Sequence, residues 1–198
     1  MKNQQKVWDN IAKEWHKYKK IPSNISKEFL AKQKGNILDL GGGSGRHLTN
    51  ITGGKYYLLD FSKEMIKLAE DKAKKLGILG EFIVSDINKL PFENNFFDGA
   101  ISVSAIHCTP KKEHLKIIKE LYRVMKPGAQ ALIGVWNFQS KRFNQKQGKE
   151  KMIKWTDKGE RYYYLFDEKE IHDLFEKVGF KILSKHNSEM MINFIVEK

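Results

Sequence analysis

The sequence contains few of the features that mark a secreted or membrane-bound protein. Its single cysteine, Cys108, cannot form a disulfide within the chain, which favours a reducing compartment. No apolar run approaches the length of a membrane span, and the first ten residues lack the hydrophobic segment of a signal peptide. We therefore expect a cytoplasmic protein without a membrane partner.

Acidic residues are also scarce. Asp and Glu number 24 against 36 Lys and Arg, which gives a formal net charge of +12. Such a surplus attracts polyanions such as nucleic acids, although a lysine-rich composition with solvated surfaces accounts for it equally well. The length of 198 residues, with 40% hydrophobic and 30% charged side chains, indicates one globular domain over residues 1–198.

Apolar stretches along the chain alternate between the patterns of strands and helices. Short apolar runs predict seven strands, at 36–40, 56–61, 81–85, 97–103, 129–136, and near 180–186 and 190–196. Most of these strands are separated by stretches with apolar residues at helical spacing. Ser62 is placed to cap one such helix and Gly77 to end it, and Asp167 and Gly179 have the same places in the last helix. The order predicts a doubly wound α/β fold with a mostly parallel, Rossmann-like sheet of seven strands, an antiparallel C-terminal strand and an N-terminal helical cap over 1–34.

Residues 138–160 interrupt this alternation. The segment has seven basic and three acidic residues and no sustained apolar periodicity. It follows the C-terminal end of a central strand, where ligands of such sheets gather. Loops of this length in compact domains are functional or disordered. We interpret the segment as a basic flap that faces the substrate, the alternative being a disordered insertion.

A glycine-rich loop directly after the first strand is the strongest functional signal. It has the sequence Asp39-Leu40-Gly41-Gly42-Gly43-Ser44-Gly45. Glycines there let backbone amides approach a ligand closely and permit a tight turn. A dinucleotide-binding fingerprint would need glycine or alanine at position 46, which is Arg46. With an acid two residues before G-x-G-x-G, the loop resembles motif I of the class I methyltransferases, which bind S-adenosylmethionine.

That resemblance implies roles for acids at three successive strand ends. It places Asp39 near the methionine amino group, Asp60 on the ribose hydroxyls and Asp86 beside the adenine. Each acid alone could be a helix cap or turn former, whereas three together match one adenosyl site. The cofactor-binding residues predicted in this way are Asp39, Gly41, Gly43, Gly45, Asp60, Phe61, Asp86, Ile87 and Ser102. No metal site is expected, because one cysteine and scattered histidines offer no ligand set.

A narrower resemblance extends over nearly the whole chain. Five short motifs occur in order: VWDNIA at 7–12, LPF at 90–92, AIH at 105–107, VW at 135–136 and RYYYLF at 161–166. Together they look like the tRNA wobble-uridine carboxymethyl methyltransferases, which esterify 5-carboxymethyluridine in the anticodon loop. RYYYLF taken alone could be an aromatic core strand, but after the basic flap it fits a substrate wall better.

This second resemblance also implies partners. The substrate would be the anticodon loop of tRNA. Members of the family commonly need a small zinc-containing activator subunit that also serves other translation-related methyltransferases. We expect the third strand, 81–85, to lie at an edge of the sheet and to dock such a subunit by strand addition.

Three residues are implied on the acceptor side: His107, Arg161 and Lys19. A carboxylate, with a reference pKa near ~4, is ionised at neutral pH and needs no general base. Catalysis then consists of aligning one oxygen and screening its charge. His107 would orient the uracil or its carboxylate, although it could equally be a packing residue. Arg161 would hold the carboxylate or a phosphate, and Lys19 lies near the place of a family arginine.

The chain departs from the family pattern at three positions. Cys108 stands where the family has a second histidine, Gly42 where it has a cysteine, and Lys19 offers no bidentate grip on a carboxylate. These changes leave the cofactor motif intact but not the acceptor pattern. Two other functions therefore stay open: a small-molecule methyltransferase of quinone or polyketide type, and a non-catalytic module that binds S-adenosylmethionine or RNA.

Overall fold

Seven of nine strands form one twisted sheet in the computed structural model, which describes residues 2–143 and 145–198. The nine strands are β1 (Ile37–Leu40), β2 (Tyr56–Asp60), β3 (Gly80–Val84), β4 (Phe97–Val103), β5 (Met125–Trp136), β6 (Glu150–Lys154), β7 (Glu160–Tyr164), β8 (Lys181–Lys185) and β9 (Met191–Glu197). The sheet order is β3-β2-β1-β4-β5-β9-β8. Strand β9 runs antiparallel to both β5 and β8, and the other neighbouring pairs are parallel. The predicted doubly wound sheet is confirmed, and so is the place of the third strand at its edge.

Helices cover both faces of this sheet. They are α1 (Lys2–Tyr18), α2 (Asn24–Ala31), α3 (Lys63–Leu76), α4 (Lys111–Val124) and α5 (Glu168–Val178). The apolar sides of α4 and α5 share a core with one face of the sheet, while α2 and α3 pack on the other. Within the described residues, no helix combines the length and apolarity needed to cross a membrane.

Local capping signals fix most helix ends. Ser62 caps α3, since its hydroxyl accepts a hydrogen bond from the Met65 amide at 3.2 Å, and Gly77 ends the helix with a φ of +65°. Asp167 occupies the N-cap position of α5, but its carboxylate contacts Lys149 instead of a helix amide. The predicted cap is therefore correct in position and wrong in its hydrogen bond.

Strand β5 begins four residues earlier than its apolar pattern predicts. Met125 pairs with Phe97 directly after α4, and a register shift then separates this pair from Gly99 and Gln130. Gly128, with a φ of +78°, lies within this irregular stretch. Pro127 and Gly128 therefore belong to an irregular start of the strand.

The basic segment 138–160 contains more regular structure than its composition suggests. It includes β6, which forms a separate two-stranded hairpin with β7; position 144 lies outside the described residues. The Gln4 side chain joins the hairpin to α1. Its Nε2 donates to the Glu160 carbonyl at 3.0 Å, and its Oε1 accepts from the Tyr162 N–H at 2.8 Å. Together, α1 and the hairpin form a layer beside the C-terminal ends of the parallel strands.

Candidate active site

A cavity opens at the C-terminal edge of the sheet, beneath α1. The glycine loop forms one side, the ends of β2 and β3 form the next, and Ser104 to Thr109 close the far side. Trp8, Trp15 and Lys19 of the α1 region line it from above. Six of the nine predicted cofactor residues line this cavity: Gly41, Gly43, Asp60, Phe61, Asp86 and Ile87. The fold thus brings residues from three strand ends to one site.

Asp60 connects the end of β2 to the glycine loop. Its carboxylate is buried and accepts hydrogen bonds from the Ser62 amide at 2.9 Å and the Gly43 amide at 3.0 Å. Burial raises the pKa of Asp60 to about 6, and the two backbone hydrogen bonds offset part of that effect. A carboxylate held at a cavity wall with a raised pKa is suited to accept hydroxyl hydrogens from a ligand.

The glycines of the loop serve different purposes. At Gly42 an added Cβ would lie 2.6 Å from Leu58 Cγ and 2.7 Å from Asp39 Cγ, so packing within the protein requires glycine there. At Gly43, with a φ of +56°, the nearest atom to an added Cβ is Met65 Sδ at 4.0 Å. The space over Gly43 is therefore cavity, where a ligand can approach the backbone. This cradle fits S-adenosylmethionine.

The other three predicted cofactor residues lie behind the cavity wall. Asp39 is 1% exposed, and its Oδ2 accepts a hydrogen bond from the Tyr56 hydroxyl at 2.7 Å while Oδ1 has no partner. Ser102 Oγ donates to the Leu40 carbonyl at 3.2 Å, and Gly45 packs closely against Leu48. Ser102 and Gly45 therefore support the loop, while the free oxygen of Asp39 suits a cationic group such as an ammonium.

Among the cavity residues not predicted from the sequence are two potentially charged side chains next to the glycine loop. Arg46 and His47 follow the glycine loop and both line the cavity. His47 Nδ1 lies 3.5 Å from Asp39 Oδ2, and burial lowers the pKa of Arg46 while Asp39 raises it. In the sequence, Arg46 excludes a dinucleotide fingerprint. Its charge, directly after the glycine loop, is the signal that could have indicated a site residue.

His107 lies beneath the cavity instead of on its wall. It is fully buried, its Nδ1 accepts a hydrogen bond from the Trp136 amide at 2.9 Å, and its ring lies 5.1 Å from Trp136 and 5.6 Å from Tyr163. Burial, with the charges of His114 and Arg46, lowers its pKa to about 3. The imidazole is therefore neutral at physiological pH, which corresponds to the packing alternative for this residue.

Arg161 is enclosed by aromatic rings. Its side chain is 5% exposed, and its guanidinium carbon lies 4.8 to 5.9 Å from four rings, those of Trp8, Trp15, Trp155 and Tyr163. Nη1 donates to the Tyr163 hydroxyl at 2.6 Å, whereas Nε is buried without a partner. Because Trp8 and Trp15 also line the cavity, this guanidinium lies just behind its aromatic wall.

Known proteins that this chain resembles are methyltransferases. A methyltransferase-domain family matches residues 38–133, from the glycine loop to β5. The ubiquinone/menaquinone biosynthesis C-methyltransferase of Stutzerimonas stutzeri is 31% identical over 188 residues, which cover 81% of this chain and 71% of that enzyme. A crystal structure of an S-adenosylmethionine-dependent methyltransferase from Methanosarcina mazei is 25% identical with a TM-score of 0.73, covering 90% of this chain and 98% of that one. The chain belongs to the S-adenosylmethionine-dependent methyltransferases.

Two further similarities bear on the acceptor and on partners. The tRNA (carboxymethyluridine(34)-5-O)-methyltransferase of Arabidopsis thaliana is 37% identical over 101 residues, half of this chain and 24% of that protein. This methyltransferase therefore spans about a quarter of the Arabidopsis protein's length. A complex between the Haloferax volcanii Trm112 methyltransferase activator and a methyltransferase matches with a TM-score of 0.72 and 17% identity, over 98% of this chain and 96% of that one, and shows the shared fold.

Lys19 and Arg46 of this methyltransferase line the cavity, and Arg142 and Arg161 lie close enough to Lys19 to act on its charge. Burial lowers the pKa of Lys19, and the charges of Arg46, Arg142 and Arg161 lower it further. In the part of the chain that the structure describes, none of the four forms an ion pair with a carboxylate. Holding like charges together in a half-buried place costs free energy. Such a cluster indicates a site for an anionic ligand.

The far wall of the cavity offers poor proton acceptors. Burial raises the pKa of the Cys108 thiol well above its ordinary value, and its Sγ donates to the Ser104 carbonyl at 3.4 Å. His107, beside it in the chain, binds a proton only in strong acid and already uses Nδ1 on Trp136. An acceptor that is ionised before it binds suits this wall better than one that must lose a proton there.

The raised pKa of Asp60 predicts a pH dependence of cofactor binding. If Asp60 accepts from the ribose hydroxyls as the sequence predicts, binding would favour the deprotonated carboxylate and lower its pKa. With a pKa of about 6 before binding, affinity should be constant above pH 7 and fall about tenfold between pH 7 and pH 5. Calorimetric titration of S-adenosylmethionine at several pH values measures this change.

Asp60→Asn provides the control for that measurement. The amide does not titrate, so its weaker affinity should be the same at pH 5 and pH 7. Unfolding at low pH does not explain a loss of affinity there. A carboxyl whose pKa is raised in the folded state stabilises the fold at low pH, and this contribution is lost as pH rises through about 6. If Asp60→Asn kept the pH dependence of the wild type, that result would contradict the ribose role of Asp60.

Proposed function

We propose that this methyltransferase esterifies a carboxylate on tRNA, the carboxymethyl group of 5-carboxymethyluridine at the wobble position. The observation that carries the proposal is that Lys19 and Arg46 lie on the cavity wall and Arg161 lies behind its Trp8 and Trp15 rings, all without a carboxylate in an ion pair among the described residues. Similarity of half the chain to the Arabidopsis enzyme with this activity adds support. The net charge of +12 agrees with a polyanionic substrate.

The residues of this site suit an acceptor that is already a carboxylate. S-adenosylmethionine, when bound, would supply a methyl group on a positively charged sulfur. An ionised carboxylate oxygen would form a bond to the methyl carbon as the carbon–sulfur bond breaks and the neutral thioether leaves, and no proton has to be removed. Lys19, on the cavity wall, would contact that oxygen as a point charge, and Arg161, behind the Trp8 and Trp15 rings, would screen its charge. The neutral His107 would keep Trp136 and Tyr163 in place behind them. No side chain of the cluster has to move a proton.

Methylation of a quinol ring is the second candidate. It is favoured by the similarity to the Stutzerimonas C-methyltransferase, which covers more of the chain than the Arabidopsis enzyme does. The aromatic wall of Trp8 and Trp15 would suit a flat ring. A quinol, however, has no charge for four cations to bind, and its ring carbon becomes nucleophilic only when a phenol proton is removed.

Methyl transfer from labelled S-adenosylmethionine distinguishes these candidates. The enzyme is incubated separately with tRNA that carries 5-carboxymethyluridine, with demethylated menaquinol and without acceptor, and digested nucleosides are identified by mass spectrometry. We expect label in the methyl ester of 5-carboxymethyluridine only. Label in the quinol product would favour the second candidate, and cofactor binding without transfer to either acceptor would indicate a non-catalytic module.

The salt dependence of tRNA binding adds a check on the charges. The logarithm of the affinity should fall with the logarithm of salt concentration by about 0.7 to 0.9 per phosphate contact. The double variant Lys141→Gln, Arg142→Gln should flatten that slope and leave cofactor affinity unchanged, because both side chains are exposed on the segment 138–160. A tRNA affinity that is independent of salt would contradict phosphate binding.

We also propose that a small activator subunit docks along β3. This strand pairs only with β2, and Leu79 and Val84 at its two ends are 77% and 45% exposed. Unpaired backbone groups and exposed apolar side chains at a sheet edge are suited to strand addition. A solved methyltransferase of the same fold forms a complex with the Trm112 activator.

Co-expression with a Trm112-type activator tests this proposal. We expect more soluble enzyme and higher activity with the activator, and loss of co-purification in Val84→Lys, because a charged side chain on an edge strand opposes pairing. Leu183→Lys on β8, the strand at the opposite edge, is the matched control and should still co-purify. Full activity of the isolated chain, unimproved by the activator, would contradict the proposal.

A further inference from the structure

An aromatic side chain stands exposed at the mouth of the cavity, where α1 ends. Tyr18 is 64% exposed, although its ring lies 6.2 Å from Trp15 and 5.8 Å from Trp155. Trp15 and Lys19 line the cavity, and Lys19 Nζ lies 5.0 Å from the Tyr18 ring. Tyr18 therefore continues the aromatic wall of the cavity out to the surface.

The rings behind Tyr18 are held firmly. Trp155 Nε1 donates to Glu14 at 2.6 Å, and Glu14 also pairs with Lys158, which ties the hairpin turn to α1. Trp155 and Trp15 meet edge to face at 5.6 Å. Trp15, Tyr18 and Trp155 form what we call the aromatic platform. Because it is fixed by other contacts, a ligand that stacks on it loses little free energy in ordering it.

The charges around the platform select the kind of ligand. Lys17 and Lys20 are exposed on either side of Tyr18, and Lys154 is exposed next to Trp155. Glu14, an acid that contacts the platform, is engaged by Trp155 and Lys158. Exposed aromatic rings among lysines are typical of proteins that bind single-stranded nucleic acids, since bases stack on the rings while cations contact phosphates.

We propose that Tyr18 stacks on the nucleobase that neighbours the target uridine in the anticodon loop, and that it thereby orients the RNA over the cavity. The inference rests on the proposed function, since it takes tRNA as the substrate. A uridine that enters a closed cavity must leave its stack, which leaves an unpartnered base face beside it. The Tyr18 ring, next to the cavity-lining Lys19, lies where that face would be.

The test is a double-mutant cycle between protein and RNA, read as the dissociation constant of a fluorescently labelled anticodon stem-loop. Tyr18→Ala should weaken binding about tenfold, whereas Tyr18→Phe should bind as the wild type does, because the ring is kept. Stem-loops that lack only the base on the 5′ or the 3′ side of the target uridine are compared with the intact RNA. With the correct base removed, Tyr18→Ala should cause no further loss. Leu183→Ala, a change of another exposed apolar residue on the far edge, should have no effect.

The outcomes separate this inference from the function on which it rests. Equal weakening by Tyr18→Ala for intact and both base-lacking RNAs, or no weakening at all, overturns the stacking role even where the RNA is methylated. Stem-loop binding that shows the expected cycle, without any methylated nucleoside, supports stacking and instead contradicts the proposed ester chemistry. Circular dichroism of the alanine variant checks that α1 remains folded.

Discussion

Replacing Arg161 by methionine should lower the rate of methyl transfer by about one to two orders of magnitude at saturating cofactor, because it removes a charge that screens the reacting oxygen from behind the aromatic wall. Affinity for S-adenosylmethionine should stay within about twofold, because the guanidinium lies behind the acceptor side of the cavity. Arg161→Lys keeps the charge but loses the planar group that packs among the four rings, so its rate should lie between those of the wild type and Arg161→Met. Single-turnover kinetics with carboxymethyluridine tRNA measure these rates.

Thermal stability provides the second half of this prediction. Arg161 is a buried cation without a carboxylate partner, and four rings offset part of its desolvation. Methionine fills a similar volume without that charge, so we expect a melting temperature close to that of the wild type. Arg123→Met is the opposite control: Arg123 is hydrogen-bonded to Glu120 and to the Leu90 and Phe92 carbonyls, away from the cavity. Arg123→Met should lower the melting temperature and leave the rate of methyl transfer unchanged.

An opposite pattern would overturn the assignment. If Arg161→Lys weakens cofactor binding and leaves tRNA methylation intact at saturating cofactor, Arg161 does not act on the acceptor. If Arg161→Met unfolds the protein, the slower rate carries no information about the acceptor. In that case Arg161→Lys, measured at a temperature where it is folded, still decides whether the planar group matters.

The cofactor side of the cavity could be predicted because its residues follow from local rules. A parallel sheet brings the C-terminal ends of its strands together, so acids at the ends of β2 and β3 had to meet the glycine loop after β1. Asp60 and Asp86 line the cavity as that rule requires. The rule predicts that residues at these strand ends lie near the site. Whether a given side chain faces the cavity depends on the next turn of the backbone.

The acceptor side shows what such a rule leaves undetermined. After β4 the chain enters a short 3-10 turn over Ile106–Cys108, in which consecutive side chains point in different directions. Cys108 consequently lines the cavity and His107 turns into the core. The resemblance to a family with a His-His pair placed a histidine at the end of this strand, and sequence alone gave no means of telling which of the two positions faces the cavity.

The cation cluster depends on contacts that are distant along the chain. Lys19 ends the α1 region, Arg46 follows the glycine loop, and Arg142 and Arg161 lie on either side of β6. Their approach requires the hairpin to fold back on α1 through Gln4 and Glu14. Five residues of β6 are too few to show the alternation of a strand among so many lysines, so neither the hairpin nor the cluster could be predicted from periodicity.

Substitution of Gly43 by alanine should strongly weaken cofactor binding in a protein that remains folded. An added Cβ there has only Met65 Sδ within 4 Å, at 4.0 Å, so the methyl group fits the protein but occupies the cavity beside Asp60. We expect S-adenosylmethionine affinity to fall about a hundredfold or more, since overpacking of a tight contact commonly costs about 1–3 kcal/mol and occasionally more. Calorimetry with the cofactor measures the loss directly.

Gly53→Ala separates this steric effect from backbone strain. Gly53 has a φ of +72°, close to the +56° of Gly43, and an added Cβ there meets no atom within 4 Å. Both variants carry the same left-handed penalty, about 1–2 kcal/mol for a residue with a Cβ, so denaturant unfolding should show similar losses of stability. Only Gly43→Ala should lose the cofactor, because only that methyl group projects into the cavity. Equal S-adenosylmethionine affinity in the two variants would mean that the cofactor does not lie against the glycine loop.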